Sequence, residues 1–154
     1  MTSPAAPKKD IPVVVIGLRR GKGISDIPPL FENTPYYVAA CMDLTEVEEE
    51  FRYSAHNLAV ILYNNHPRPR ALLIGIAVDP SYIESAELVW KEYVNKALRS
   101  EVGDPRDWQK NICVSLPRTH FIDPKKPDTW PVVRRDWQGE MFRQLDGIFR
   151  PELL

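Results

Sequence analysis

The chain has 154 residues, 44% hydrophobic and 27% charged, with a formal net charge of −1 at pH 7. That length suits one domain with a sizeable core. The near-neutral charge argues against a general nucleic-acid binder, which needs many unbalanced cations, and no apolar run approaches the ~18 residues of a membrane span.

The 15 prolines are about twice the average usage of about 5% and predict stiff, extended loops. Cys41 and Cys113 each lie in an apolar run, Val38 to Met42 and Ile112 to Leu116. They are expected as free, buried thiols of a reduced compartment. Residues 1–10 carry Lys8 and Lys9 but no apolar stretch, so they read as a disordered tail rather than a secretory signal. The expected location is the cytoplasm.

Ile11 to Leu18 is a continuous apolar run rich in valine, the signature of a strand buried on both faces of a parallel sheet. Ser25 or Asp26 can cap a short helix over about Pro28 to Asn33. Tyr36 to Met42 is a second strand, closed by Asp43. Thr45 and Glu48 have capping-box spacing, and Val47, Phe51, Ala55, Leu58 and Leu62 recur at helical intervals, so a helix is predicted from about Leu44 to Tyr63. The run from Asn64 to Arg70 ends it.

Ala71 to Val78 reads as a third buried strand. Asp79, Pro80 and Ser81 turn into a helix with Ile83, Ala86, Val89 or Trp90, Tyr93 and Leu98 on its apolar side. Asn111 to Leu116 is a fourth strand. Residues 117–135 are rich in proline and read as an extended strap, with Val132 and Val133 available as a fifth, edge strand. Asp136 can cap a last helix over 136–150, with Trp137, Met141, Leu145, Ile148 and Phe149 on one side.

This alternation predicts a single α/β domain over 11–154. Its core is a three-layer, mostly parallel sheet of four to five strands, Rossmann-like or flavodoxin-like, with four helices shared between both faces. In such sheets ligands bind beyond the carboxyl ends of the strands, where the strand order reverses.

The chemistry expected at that edge starts from Gly17, Gly21 and Gly23, interleaved with Arg19, Arg20 and Lys22. Glycines let backbone N–H groups point at an anion, and the cations supply charge. The spacing G-x-x-x-G-x-G, with an arginine just before its middle glycine, resembles the cofactor loop of short-chain dehydrogenases. That resemblance implies a dinucleotide at Gly17, Gly21 and Gly23, and Asp43 has the rough location of a ribose-binding acid. The chain has no Tyr-x-x-x-Lys pair. NAD(P) and coenzyme A are the cofactors considered.

Asp79 after the third strand resembles the phosphoacceptor of bacterial response regulators. Arg19, Arg20 and Lys22 stand where that chemistry needs Mg²⁺-binding acids, so the resemblance implies a degenerate, non-phosphorylated relative. Ser115, Arg118, Thr119, His120 and Asp123 follow the fourth strand, with His120 as the one catalytic candidate, a general base. His56, His66 and His120 are scattered, without metal-site spacing.

The function expected is binding of a nucleotide-like or other phosphate-bearing anion at Gly17 to Gly23, with Asp43, Asp79, Ser115 and Arg118 around it. The alternative is a non-catalytic interaction or homodimerisation module, its contacts made by the strap and the last helix.

Overall fold

A computed structural model describes residues 8–19, 28–45, 48–75, 80–100, 110–115 and 130–154, with the backbone alone at 18, 19, 45, 80 and 130–137. Four strands form one sheet: β1 (Ile11–Arg19), β2 (Tyr36–Thr45), β3 (Ala71–Ile74) and β4 (Ile112–Ser115). The spatial order is β2-β1-β3-β4 and every pairing is parallel. The α-helices are α1 (Ala55–Asn64), α2 (Pro80–Tyr93) and α3 (Trp130–Phe149), and a π turn over Val94–Leu98 continues α2.

β1 and β3 are the two interior strands, which is why their sequences are unbroken apolar runs: Val13, Val14, Ile16, Ala71 and Leu72 are all sealed from solvent. Successive side chains serve opposite layers. Val14, Ile16, Leu72 and Ile74 meet Leu58 and Leu62 of α1 and Ala86, Trp90 and Tyr93 of α2. Val13, Val15, Ala71 and Leu73 meet Phe31, Val114, and Met141 and Leu145 of α3.

The chain leaves β1 sideways to β2 across the α3 face, through a 3-10 turn at Pro28–Phe31. It then travels the other way, β2 to β3 to β4, through α1 and α2 on the opposite face. Reversing direction with crossovers of one hand requires that change of face. The order 2-1-3-4 is that of flavodoxin-like sheets, not the 3-2-1-4 start of a Rossmann sheet.

Several boundaries differ from the sequence reading. The first predicted helix is a single 3-10 turn, because two prolines open it and Asn33 leaves it in the left-handed region at φ 61°. β2 does not stop at Asp43; it continues to Thr45 because Leu18 and Arg19 extend the ladder beside it. Thr45 is therefore strand, not the cap of a long helix. Ser54 is the cap instead, its hydroxyl accepting from the Asn57 N–H at 3.0 Å, and α1 begins at Ala55.

β3 ends at Ile74, short of the predicted Val78. Val132 and Val133 are helical, not an edge strand: α3 starts at Trp130, with Pro131 in its first turn, where no intrahelical donor is lost. The described helices number three rather than four. Residues 117–129 of the predicted strap lie outside the described residues.

β2 carries a bulge that explains its facing. Val13 pairs with Val38 and Val14 with Ala40, leaving Ala39 as the extra residue. Tyr36 and Val38 accordingly face the α3 layer, whereas Ala40 and Met42 face α1 and α2. The Tyr36 hydroxyl donates to Asp146 Oδ1 at 2.6 Å, Arg150 Nε donates to the same oxygen at 3.0 Å, and the Arg150 guanidinium sits 5.7 Å from the Tyr36 ring centre. This cluster pins the last turn of α3 to the start of β2.

Candidate functional site

The strand order reverses between β1 and β3, so the switch point lies where their carboxyl ends meet. Both ends carry glycine. Gly17 is a bulge in β1, between the Ile16–Met42 and Leu18–Asp43 pairs, with φ 128°, a conformation side chains rarely adopt. Gly75 follows the last residue of β3, and its N–H donates to Ile16 O at 2.8 Å. A Cβ on Gly75 would stand 3.1 Å from Ile16 O and 3.4 Å from Gly17 Cα. The two backbones therefore touch directly at the switch point.

Asp43 joins this group, since its backbone pairs with Leu18, the residue after Gly17. It is 8% exposed, with Oδ1 buried. Asp43 O accepts the Tyr53 N–H at 2.8 Å, so the chain after β2 folds back along the outer side of the strand. Arg19 occupies the next rung, opposite Thr45.

Ser115 lies farther along this edge. It pairs with Ile74, so β3 stands between it and β1, and its Oγ donates to Glu87 Oε1 of α2 at 3.2 Å. Arg20, Gly21, Lys22, Gly23, Asp79, Arg118 and His120 lie outside the described residues. The structure thus brings the backbones of Gly17, Arg19 and Asp43 together and places Ser115 at the same carboxyl edge, two strands from β1.

Three features of this edge escaped the sequence reading. Gly75 is one; an isolated glycine in an apolar strand run is a signal for close backbone approach. The second is an aromatic flank. Tyr53 and Tyr82 meet edge to face at 5.5 Å, the Tyr53 hydroxyl donates to Ser85 Oγ at 2.8 Å, and Phe51 and Tyr82 are 64% and 47% exposed. Tyr53 follows β2 and Tyr82 opens α2 after β3, so the pair crosses the end of β1 on the α1–α2 side. Burial raises the Tyr53 phenol above its usual range. Helical periodicity concealed this group by assigning Phe51 to an apolar stripe. The third is Glu87, the partner of Ser115.

The thiols lie on the two outermost strands and on opposite faces: Cys41 packs with the α3 layer and Cys113 with the α1–α2 layer. Three strand spacings separate them, about 14 Å, beyond the ~7 Å that a disulfide spans. Burial, then the Asp43 charge, pushes the Cys41 thiol up to about 12. Burial, then Glu87, pushes Cys113 up to about 12. Neither is a nucleophile at neutral pH. Among the described residues no three His, Cys, Asp or Glu side chains gather to hold a metal ion, and no helix is long and apolar enough to cross a membrane.

Comparison with family models, curated proteins and solved structures gave no match for this chain.

Proposed function

We propose that the protein binds a nucleotide-like or other phosphate-bearing anion at the carboxyl edge, over the β1–β3 switch point. The observation that carries this reading is the meeting of Gly17 and Gly75 at the point where the strand order reverses. A Cβ on Gly75 would meet only the backbone of Ile16 and Gly17 among its three nearest atoms, and Gly17 leads into the chain's densest glycine and cation run, Arg19 to Gly23. Backbone donors and guanidinium groups suit phosphate. The exposed rings of Phe51 and Tyr82 favour a ligand with a planar base, because aromatic faces stack on such rings.

Thermal unfolding against a panel of inorganic phosphate, mononucleotides, NAD(P) and coenzyme A tests it. A ligand at about 100 times its Kd contributes about 2.7 kcal/mol, a rise of about 5–10 °C for a chain of this size. Arg19→Ala with Arg20→Ala should abolish the rise. A wild type indifferent to the whole panel ends this reading.

A second reading is an interaction or homodimerisation module built on the C-terminal end. Leu153 and Leu154 are 58% and 73% exposed, which supports it. Met141 and Leu145 of α3 cover the protein's own sheet, so they are unavailable to a partner. Sedimentation of the Leu153→Ser, Leu154→Ser variant distinguishes the readings: a dimer that dissociates favours the module, and a wild-type monomer removes it.

A further inference from the structure

A second binding feature lies at the opposite end of the sheet, at the amino ends of β1 and β2. Lys9 is an exposed residue just ahead of β1. Its ammonium donates to Phe31 O at 2.6 Å, Thr34 O at 3.0 Å and Tyr36 O at 3.1 Å. The group's three donors therefore meet three neutral backbone oxygens.

The turn that carries those oxygens is also held by bonds that do not involve Lys9. Asn33 reverses the chain in the left-handed region, φ 61°. Thr34 N donates to Phe31 O at 3.2 Å, and the Thr34 hydroxyl donates to the same oxygen at 2.6 Å. Tyr36 N donates to Thr34 Oγ1 at 3.3 Å. Asp10 N and Ile11 N both donate to Pro35 O, each at 3.1 Å, tying the turn to β1. Converging carbonyls are the donor set that replaces the water shell of a univalent cation, whereas divalent ions are held largely by carboxylates.

We propose that Phe31 O, Thr34 O and Tyr36 O form a monovalent-cation site whose built-in occupant is the Lys9 ammonium. A free ammonium or potassium ion takes the same place when Lys9 is removed. In the native chain the Lys9 side chain thereby fastens the residue ahead of β1 to the turn, beside the Asp10 and Ile11 N–H bonds to Pro35 O. The site is remote from the carboxyl edge and stands independently of the anion reading.

The experiment is thermal unfolding of the full chain and of Lys9→Ala in equal concentrations of ammonium, potassium and tetramethylammonium chloride. Tetramethylammonium has no N–H donor and is too bulky for the ring. The wild type should unfold at one temperature in all three salts. The variant should fall by about 3–6 °C in tetramethylammonium and recover at least half of that in ammonium or potassium. A variant that folds only in the smaller cations also supports the site. A variant matching the wild type in every salt, lowered equally in every salt, or unfolded in all three overturns it. So does a wild type that responds to the cation as the variant does.

Discussion

At the scale of single residues, the same substitution should act in opposite directions at two glycines. Gly75→Ala drives a Cβ to 3.1 Å from Ile16 O, a backbone atom in the sheet centre that has little room to yield. Gly139 lies on the exposed side of α3 with nothing within 4 Å of a new Cβ. Alanine at 75 should cost about 1–3 kcal/mol. At 139 it should add about 0.5–1 kcal/mol, because glycine loses more backbone freedom in a helix. Urea unfolding of the two variants checks the sign at each position. The thiols give a second residue-scale expectation. Both are neutral when protonated, and both move from 9.0 up to about 12 on folding. Between those values the folded chain holds protons that the unfolded chain has released. Their contribution is fully present below pH 9 and is lost as the pH rises towards 12. Tyr36, raised first by burial and then by Asp146, adds to the same alkaline loss. The urea midpoint should therefore fall from about pH 8.5 to pH 10.5, and fall less in a Cys41→Ala, Cys113→Ala chain.

At the scale of elements, α3 and the 3-10 turn at Pro28–Phe31 are the only helices over their face of the sheet among the described residues, so the anchors of α3 matter most. Leu145 is fully buried against Val13, Val15 and Leu73. Leu145→Ala should cost about 2–5 kcal/mol, the range for a leucine cavity in a core, read as a loss of urea midpoint at constant slope. The elements were legible where one constraint dominates. The runs at Val13 to Ile16 and Ala71 to Ile74 are interior strands because nothing polar interrupts them. Met141 and Leu145, four residues apart among polar neighbours, lie on the apolar side of the last helix because helical spacing alone separates them from those neighbours. Legibility failed where two patterns overlapped. From Leu44 to Phe51 the residues satisfy helical spacing, yet Asp43, Leu44 and Thr45 are recruited by the end of β1, a partner 25 residues upstream or more. Local periodicity contains no record of that neighbour. Val132 and Val133 are the mirror case: β-branched residues read as strand but held in a helix that Pro131 can begin.

At the scale of the whole molecule, the layer count and parallel sense followed from the alternation of elements, but the strand order did not. Nothing in Val13 to Gly23 says on which side β3 will pair, and that choice alone decides where the switch point falls. It also decides which parts of the expected site meet. Gly17 and Asp43 lie side by side because β1 and β2 are neighbours in sequence and in space. Ser115 ends β4 at the same carboxyl edge, with β3 between it and β1. The bulge at Ala39 has a final consequence for association. β2 is a ten-residue strand at the edge of the four-stranded sheet, the position where a foreign strand could add. Its alternation, however, is written in two reading frames, one before Ala39 and one after it. A regular incoming strand can match either frame but changes face relative to the other. The bulge thus works as a frameshift along the part of the edge that Arg52 and Tyr53 do not already meet at Asp43, a built-in guard against edge-to-edge growth of the sheet.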